Sequence, residues 1–209
     1  MKKETIRCAW SENSTPIMLK YHDKEWGSPE CDDNYLFEML LLEGTQAGLS
    51  WNTILNKREN YRRAFDNFNV DKVAKYNSKK IDSLLQNKGL VRNKLKIASA
   101  IRNAKVFISI QKEFGSFDAY IWKFTNGKPI VNKRKQTSDI PSSTKLSNTI
   151  SIDLKKRGMS FVGPTIVYAF MQSIGLVNDH ITSCFRYSEL KKFIHLLHPL
   201  DYNPQHEHV

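Results

Sequence analysis

The chain has 209 residues, 40% of them hydrophobic and 11% aromatic, a profile that fits one globular domain or two closely packed lobes and excludes a disordered polymer. Lys and Arg number 32 against 21 Asp and Glu, and the formal charge of +11 suits a polyanionic partner such as nucleic acid or an anionic membrane surface. No apolar run is long enough to cross a bilayer, Met1–Arg7 lacks the apolar stretch of a signal peptide, and three cysteines (Cys8, Cys31, Cys184) make no secreted disulfide framework, so a cytoplasmic protein without a membrane span is expected.

Strand signals are poor and helical periodicity recurs, which predicts an all-α fold. Asp32 and Asp33 can start a helix in which Leu36, Leu40 and Glu43 share a face, with Gly44 and Gly48 breaking it. Ser50 is placed to cap a second helix carrying Trp51, Ile54, Leu55, Arg58 and Phe65 along one side. Short helices follow at 71–76 and 78–86. A longer one is expected from about Arg92 to Phe114, with Leu95, Ala98, Ile101 and Phe107 inward, and Ser116 caps another through Trp122. Residues 125–142 read as a polar loop. Leu146, Ile150 and Leu154 give a helix broken at Gly158. Pro164 then opens the next, which carries Ile166, Val167, Phe170 and Ile174 inward until Gly175. A helix, a tight hairpin and a second helix result.

Chemistry-bearing residues gather at a few points. If His180 and Cys184 lie on a helix, their spacing of four puts both side chains on one face. With Cys8 and His22 from the other end of the chain they would fill a tetrahedral zinc site and leave no position for water. Two buried cysteines and two ordinary histidines are the alternative. Glu43, on an apolar helix face, is either a carboxylate inside a pocket or one turned outward to solvent or a lysine. Trp10, Tyr21, Trp26 and Trp51 crowd the same region. An acidic group among aromatic faces on a basic protein describes a receptor for a cationic planar ring, although most aromatics are core.

Four blocks of these residues resemble the bacterial DNA-3-methyladenine glycosylase I family: Cys8-Ala9-Trp10, Tyr21 through Gly27, Glu43 through Trp51, and Phe161–Thr165 continuing through Gly175–His180. The likeness spans about residues 8 to 187. It implies a helix-hairpin-helix fold whose lobes flank a DNA cleft, in one glycosylase domain over 1–187 with a C-terminal tail over 188–209. It implies that Cys8, His22, His180 and Cys184 hold one structural zinc joining the terminal segments. Glu43 would recognise the damaged base, Tyr21 and Trp51 would sandwich it, and Trp10 would form a further wall. The hairpin from Gly158 to Gly163 would hold the DNA backbone. The activity implied is hydrolysis of the N-glycosidic bond of 3-methyladenine in double-stranded DNA, by a monomer that releases the free base. A binding module of the same fold without excision, or a glycosylase for another alkylated purine, are the competing readings.

The sequence departs from the family in a turn one residue longer between Cys8 and His22, and in Met18, which stands where another pocket tyrosine is expected. Relatives in the wider superfamily place a catalytic aspartate at the position of Asn178, which is neutral and a poor base. The histidines at 195, 198, 206 and 208 are expected in a solvated tail.

Overall fold

A computed structural model describes residues 5–12 and 14–193. The fold is built on one central helix, α2 (Asp33–Gln46), which packs against α3 (Trp51–Ala64), α6 (Lys94–Phe114), α7 (Phe117–Trp122) and α9 (Pro164–Ser173). Residues Leu36 through Thr45 are all buried, so this helix is enclosed on every side and not only along the Leu36–Leu40–Glu43 face. The Asp32 side chain caps its start by accepting from the Tyr35 backbone N–H at 2.8 Å. Asp33 accepts from the backbone N–H of Phe117 and Asp118 and from Gln111, which ties the start of α2 to the start of α7.

The helix does not break at Gly44. It runs on to Gln46, and Gly44 is closely packed: a Cβ there would lie 3.1 Å from the carbonyl oxygen of Phe161. The chain turns at Gly48 instead, at φ +78°, and Ser50 caps α3 as expected, accepting from Thr53 N.

Three short helices, α1 (Pro16–Lys24), α4 (Val70–Val73) and α5 (Ser78–Gln86), and α8 (Lys145–Lys156) complete the body before α10 (Phe185–Phe193). Helix α6 buries Ile97, Ala100, Ile101, Ala104 and Phe107, whereas Leu95 is 69% exposed and Ala98 lies outward. The expected inner stripe was therefore displaced at its start. The first turn of α6 is oriented by Lys96, whose Nζ donates to the carbonyls of Thr45 and Ala47 at 2.7 and 2.6 Å and caps the end of α2. Leu95 and Ala98 lie off the face that carries Ile97, Ala100, Ile101 and Ala104.

Helices α8 and α9 pack on each other across a hairpin at 157–163. Gly158 takes φ +104° and Phe161, a non-glycine, is held at φ +56°. Val167 and Phe170 of α9 and Ile174 beyond it are buried, but Ile166 is only half-buried and faces a surface groove. Within the loop expected over 125–142, Ile130–Val131 (β1) pairs in parallel with Val177–Asn178 (β2), in register Ile130 with Val177. A two-residue bridge has too little alternation to be read from sequence. Gly175, at φ +71°, is crossed by the 28–29 backbone, which a Cβ would approach to 2.3 Å. The core is continuous from Cys8 to Cys184. The histidines at 195, 198, 206 and 208 lie outside the described residues; α10 passes through residues 187 and 188 without interruption and buries Leu190. Among the described residues no helix is long and apolar enough to cross a membrane.

Candidate active site

A cavity of about 350 Å3 opens between α1, α2, α3 and α9, lined by Trp10, Met18, Tyr21, Trp26, Glu43, Gln46, Trp51, Thr137, Ile140, Ala169 and Gln172. That volume is at the small end of ligand pockets, roughly 300–1,000 Å3. Glu43 lies on its floor, 4% exposed, and its carboxylate has no hydrogen bond or ion pair to the described residues. Burial pushes its pKa up to about 8. A largely buried carboxyl group without a protein partner at the base of a cavity is poised for a ligand that brings the missing donor or positive charge.

Tyr21 and Trp51 stand beside it, but they do not leave a slot. Their ring centroids are 5.4 Å apart with planes at 57°. A planar base stacked between two rings needs about 7 Å, twice a contact spacing of ~3.5 Å. The rings therefore form a corner, and a flat ligand stacks on one of them and meets the other at its edge. Burial, and then the nearby Glu43 carboxylate, raise the Tyr21 pKa well above the ordinary value, so the phenol keeps its proton. The Trp51 indole Nε1 is buried without a hydrogen-bond partner.

Trp10 and Trp26 close the other side, edge to face at 5.0 Å. Both rest on a cluster formed by Cys8, His22, His180 and Cys184, all buried, whose donor atoms lie within 4.8 Å of one another. His180 and Cys184 do not share a helix as the spacing suggested. His180 follows β2 and Cys184 precedes α10, and a turn between them brings both side chains inward.

The cluster fits a tetrahedral metal ion. The Cys8 and Cys184 sulfurs are each 3.5 Å from His180 Nδ1, and Cys184 is 3.6 Å from His22 Nε2. A tetrahedron with metal–sulfur and metal–nitrogen bonds of about 2.3 and 2.05 Å has a sulfur–nitrogen edge of about 3.6 Å. Each imidazole is also oriented from behind: His22 Nδ1 donates to Asp23 at 2.8 Å, and His180 Nε2 donates to the Trp26 carbonyl at 2.9 Å. Arg7 holds that Asp23 with two parallel hydrogen bonds, at 3.0 and 2.9 Å. The Cys184 thiol is pushed down, first by its hydrogen bond with Cys8 and then by the two histidines against the opposing effect of burial.

Asn178 is buried and turned into the structure, its side-chain oxygen accepting from the His180 N–H at 3.1 Å. It does not line the cavity. The hairpin glycines lie on a separate stretch: Gly163 opens α9 without a side-chain cap, and a Cβ there would meet nothing within 4 Å. Met18 lines the cavity.

Sequence reading missed Gln46, Thr137, Ile140 and Gln172 as cavity residues. Gln172 had a signal, since Thr165, Ala169 and Gln172 follow steps of four and three on an otherwise apolar helix. Thr137 and Ile140 had none, because their loop has no period.

A mostly helical body, with α8 and α9 joined by a tight turn beside a buried, acidic, ring-lined cavity, defines a class of base-binding helical proteins. Residues 10–187 match the model of the methyladenine glycosylase family. The chain is 48% identical over 180 residues to the DNA-3-methyladenine glycosylase of Haemophilus influenzae, covering 86% of this chain and 97% of that one. It is 46% identical over 181 residues to DNA-3-methyladenine glycosylase 1 of Escherichia coli K12, covering 87% and 96%. A crystal structure of a tyrosine-to-phenylalanine variant of 3-methyladenine DNA glycosylase I, in complex with 3-methyladenine, superposes with a TM-score of 0.83 at 35% identity, covering 86% of this chain and 96% of that one. The chain belongs to the methyladenine glycosylase family.

Proposed function

We propose that this protein is a DNA-3-methyladenine glycosylase I, which flips an alkylated adenine out of double-stranded DNA and hydrolyses its N-glycosidic bond. The observation that carries the reading is the buried, unpartnered Glu43 at the floor of a cavity walled by Tyr21, Trp51 and Trp10. Adenine methylated at N3 carries positive charge, so its bond to the sugar is weakened before the enzyme acts. A strong base to activate water is correspondingly less needed, in keeping with a neutral Asn178 turned away from the cavity. The protein has chiefly to extrude the base, at a cost of a few kcal/mol that is lowest for a damaged one, and to hold it. Stacking on an aromatic wall returns about 1–3 kcal/mol. In its ionised form Glu43 supplies charge opposite the cation and accepts from its exocyclic amine, so it favours the methylated ring over neutral adenine.

The hairpin with Gly158 and Gly163 would take the DNA backbone. At the start of α9 the uncapped backbone N–H groups and the helix dipole suit a phosphate, and the open space over Gly163 lets a strand approach closely. Cys8, His22, His180 and Cys184 would hold one structural zinc ion, which when bound closes its four positions with protein ligands and cross-links the N- and C-terminal segments. We take the working form to be a cytoplasmic monomer.

Base release from methylated double-stranded DNA tests the reading. The wild type should liberate 3-methyladenine, and Glu43→Gln should lower kcat/KM by about 10- to 100-fold, the worth of a hydrogen bond to a charged group at 1.5–3 kcal/mol. Full activity in a folded Glu43→Gln variant would remove Glu43 from its assigned role. Binding of methylated DNA without release of any base by the wild type would favour a binding module.

A further inference from the structure

Asp179 is fully buried and collects four donors: Asn132 Nδ2 at 2.7 Å, Arg134 Nε at 3.1 Å, Gln172 Nε2 at 2.8 Å and the Tyr168 hydroxyl. A carboxylate paired with arginine offers only acceptors, so it determines which end of the Gln172 amide faces it. The NH2 group points to Asp179, and the amide oxygen is the free end. That oxygen makes no hydrogen bond among the described residues and is not sealed from solvent, and Gln172 lines the cavity. The same carboxylate fastens the loop carrying Thr137, whose buried hydroxyl also lacks a partner. The cavity thus has two oxygens waiting for donors, one on Glu43 and one on Gln172.

We propose that Gln172 is a specificity-determining residue of this cavity: its amide oxygen, aimed by Asp179, accepts an N–H from the exocyclic amine of the flipped purine and disfavours purines that carry a carbonyl there. The inference deepens the glycosylase reading and rests on it. An amine has two hydrogens and can satisfy both oxygens. With Glu43 ionised, a carbonyl in the same place would face two acceptors and leave both unpaired, each worth a factor of about ten. Asp179 is a positioning residue that acts through Gln172.

The test is competitive release of 3-methyladenine and 3-methylguanine from one methylated duplex, by the wild type, Gln172→Met and Asp179→Asn, with thermal unfolding as the control for fold. Gln172→Met keeps the length and removes the acceptor, so the adenine-to-guanine ratio of kcat/KM should fall about tenfold, mainly through the adenine product. Asp179→Asn can donate to the Gln172 oxygen and turn the amide round, and it should lower the same ratio with Gln172 intact. An unchanged ratio in a folded Gln172→Met variant overturns the proposal, and one in folded Asp179→Asn overturns the orientation. Should either variant not fold, the wild-type side-chain carbonyl resonance of Gln172 is read instead. It should shift with free 3-methyladenine and not with free 3-methylguanine, and a static resonance overturns the inference. A wild type that releases neither base sinks the glycosylase reading and this one with it.

Discussion

At the level of single residues, the position of Glu43 makes both activity and stability pH-dependent. The folded protein holds its proton up to about pH 8, whereas an ordinary glutamate loses it near 4.5. A cationic base needs the ionised form, so kcat/KM should climb about tenfold per pH unit towards pH 8 and then level off. A pH–rate profile checks this, and Glu43→Gln should lack that limb. Stability moves the other way. Between pH 4.5 and 8 the unfolded chain binds fewer protons than the native one, so stability falls as pH rises, by at most ~1.4 kcal/mol per unit. Urea unfolding of Glu43→Gln should show that slope abolished and a more stable protein at pH 8; an identical pH profile in both proteins would contradict the burial argument. The sequence made Glu43, Tyr21, Trp51 and Trp10 visible because unusual side chains stood at spaced positions. It could not convey the angle between two rings, and so the sandwich became a corner.

Among the elements, caps were the most legible feature, because capping is local chemistry. Asp32, Ser50 and Ser116 all bond to the first turn of the helix that follows them. Register and termination depend on neighbours and were less legible: the buried face of α6 starts at Ile97 and not at Leu95, and α2 runs through Gly44. At Gly44 glycine provides clearance and does not break the helix. Gly175 combines clearance with backbone conformation, since it has φ +71° and a crossing backbone 2.3 Å from any added Cβ. Gly175→Ala should cost about 3 kcal/mol or more, from left-handed strain and overpacking together. Denaturant midpoints would measure it, and a loss below ~1 kcal/mol would mean that the 28–29 crossing yields easily.

For the molecule as a whole, the cysteine–histidine cluster joins residues 8 and 22 to 180 and 184 and also supports Trp10 and Trp26. Removing metal should therefore lower Tm and disturb the cavity together. Titration with a chelator, followed by calorimetry and tryptophan emission, would report both. Asp23→Asn, which weakens the support behind His22, should reduce metal affinity about 10- to 100-fold in competition with a chromophoric chelator. Cavity and grip are joined as well. Glu43 is followed by Gly44, and Gly44 lies against the carbonyl of Phe161, a residue in a restricted conformation at the tip of the hairpin. Little space separates the two, so in the proposed reading the reach from the hairpin to the cavity floor is set by this one backbone contact. If the hairpin holds the DNA backbone as proposed, a duplex has to deform to bring a base across that fixed reach, and sequences that bend easily around a methylated adenine should be repaired first.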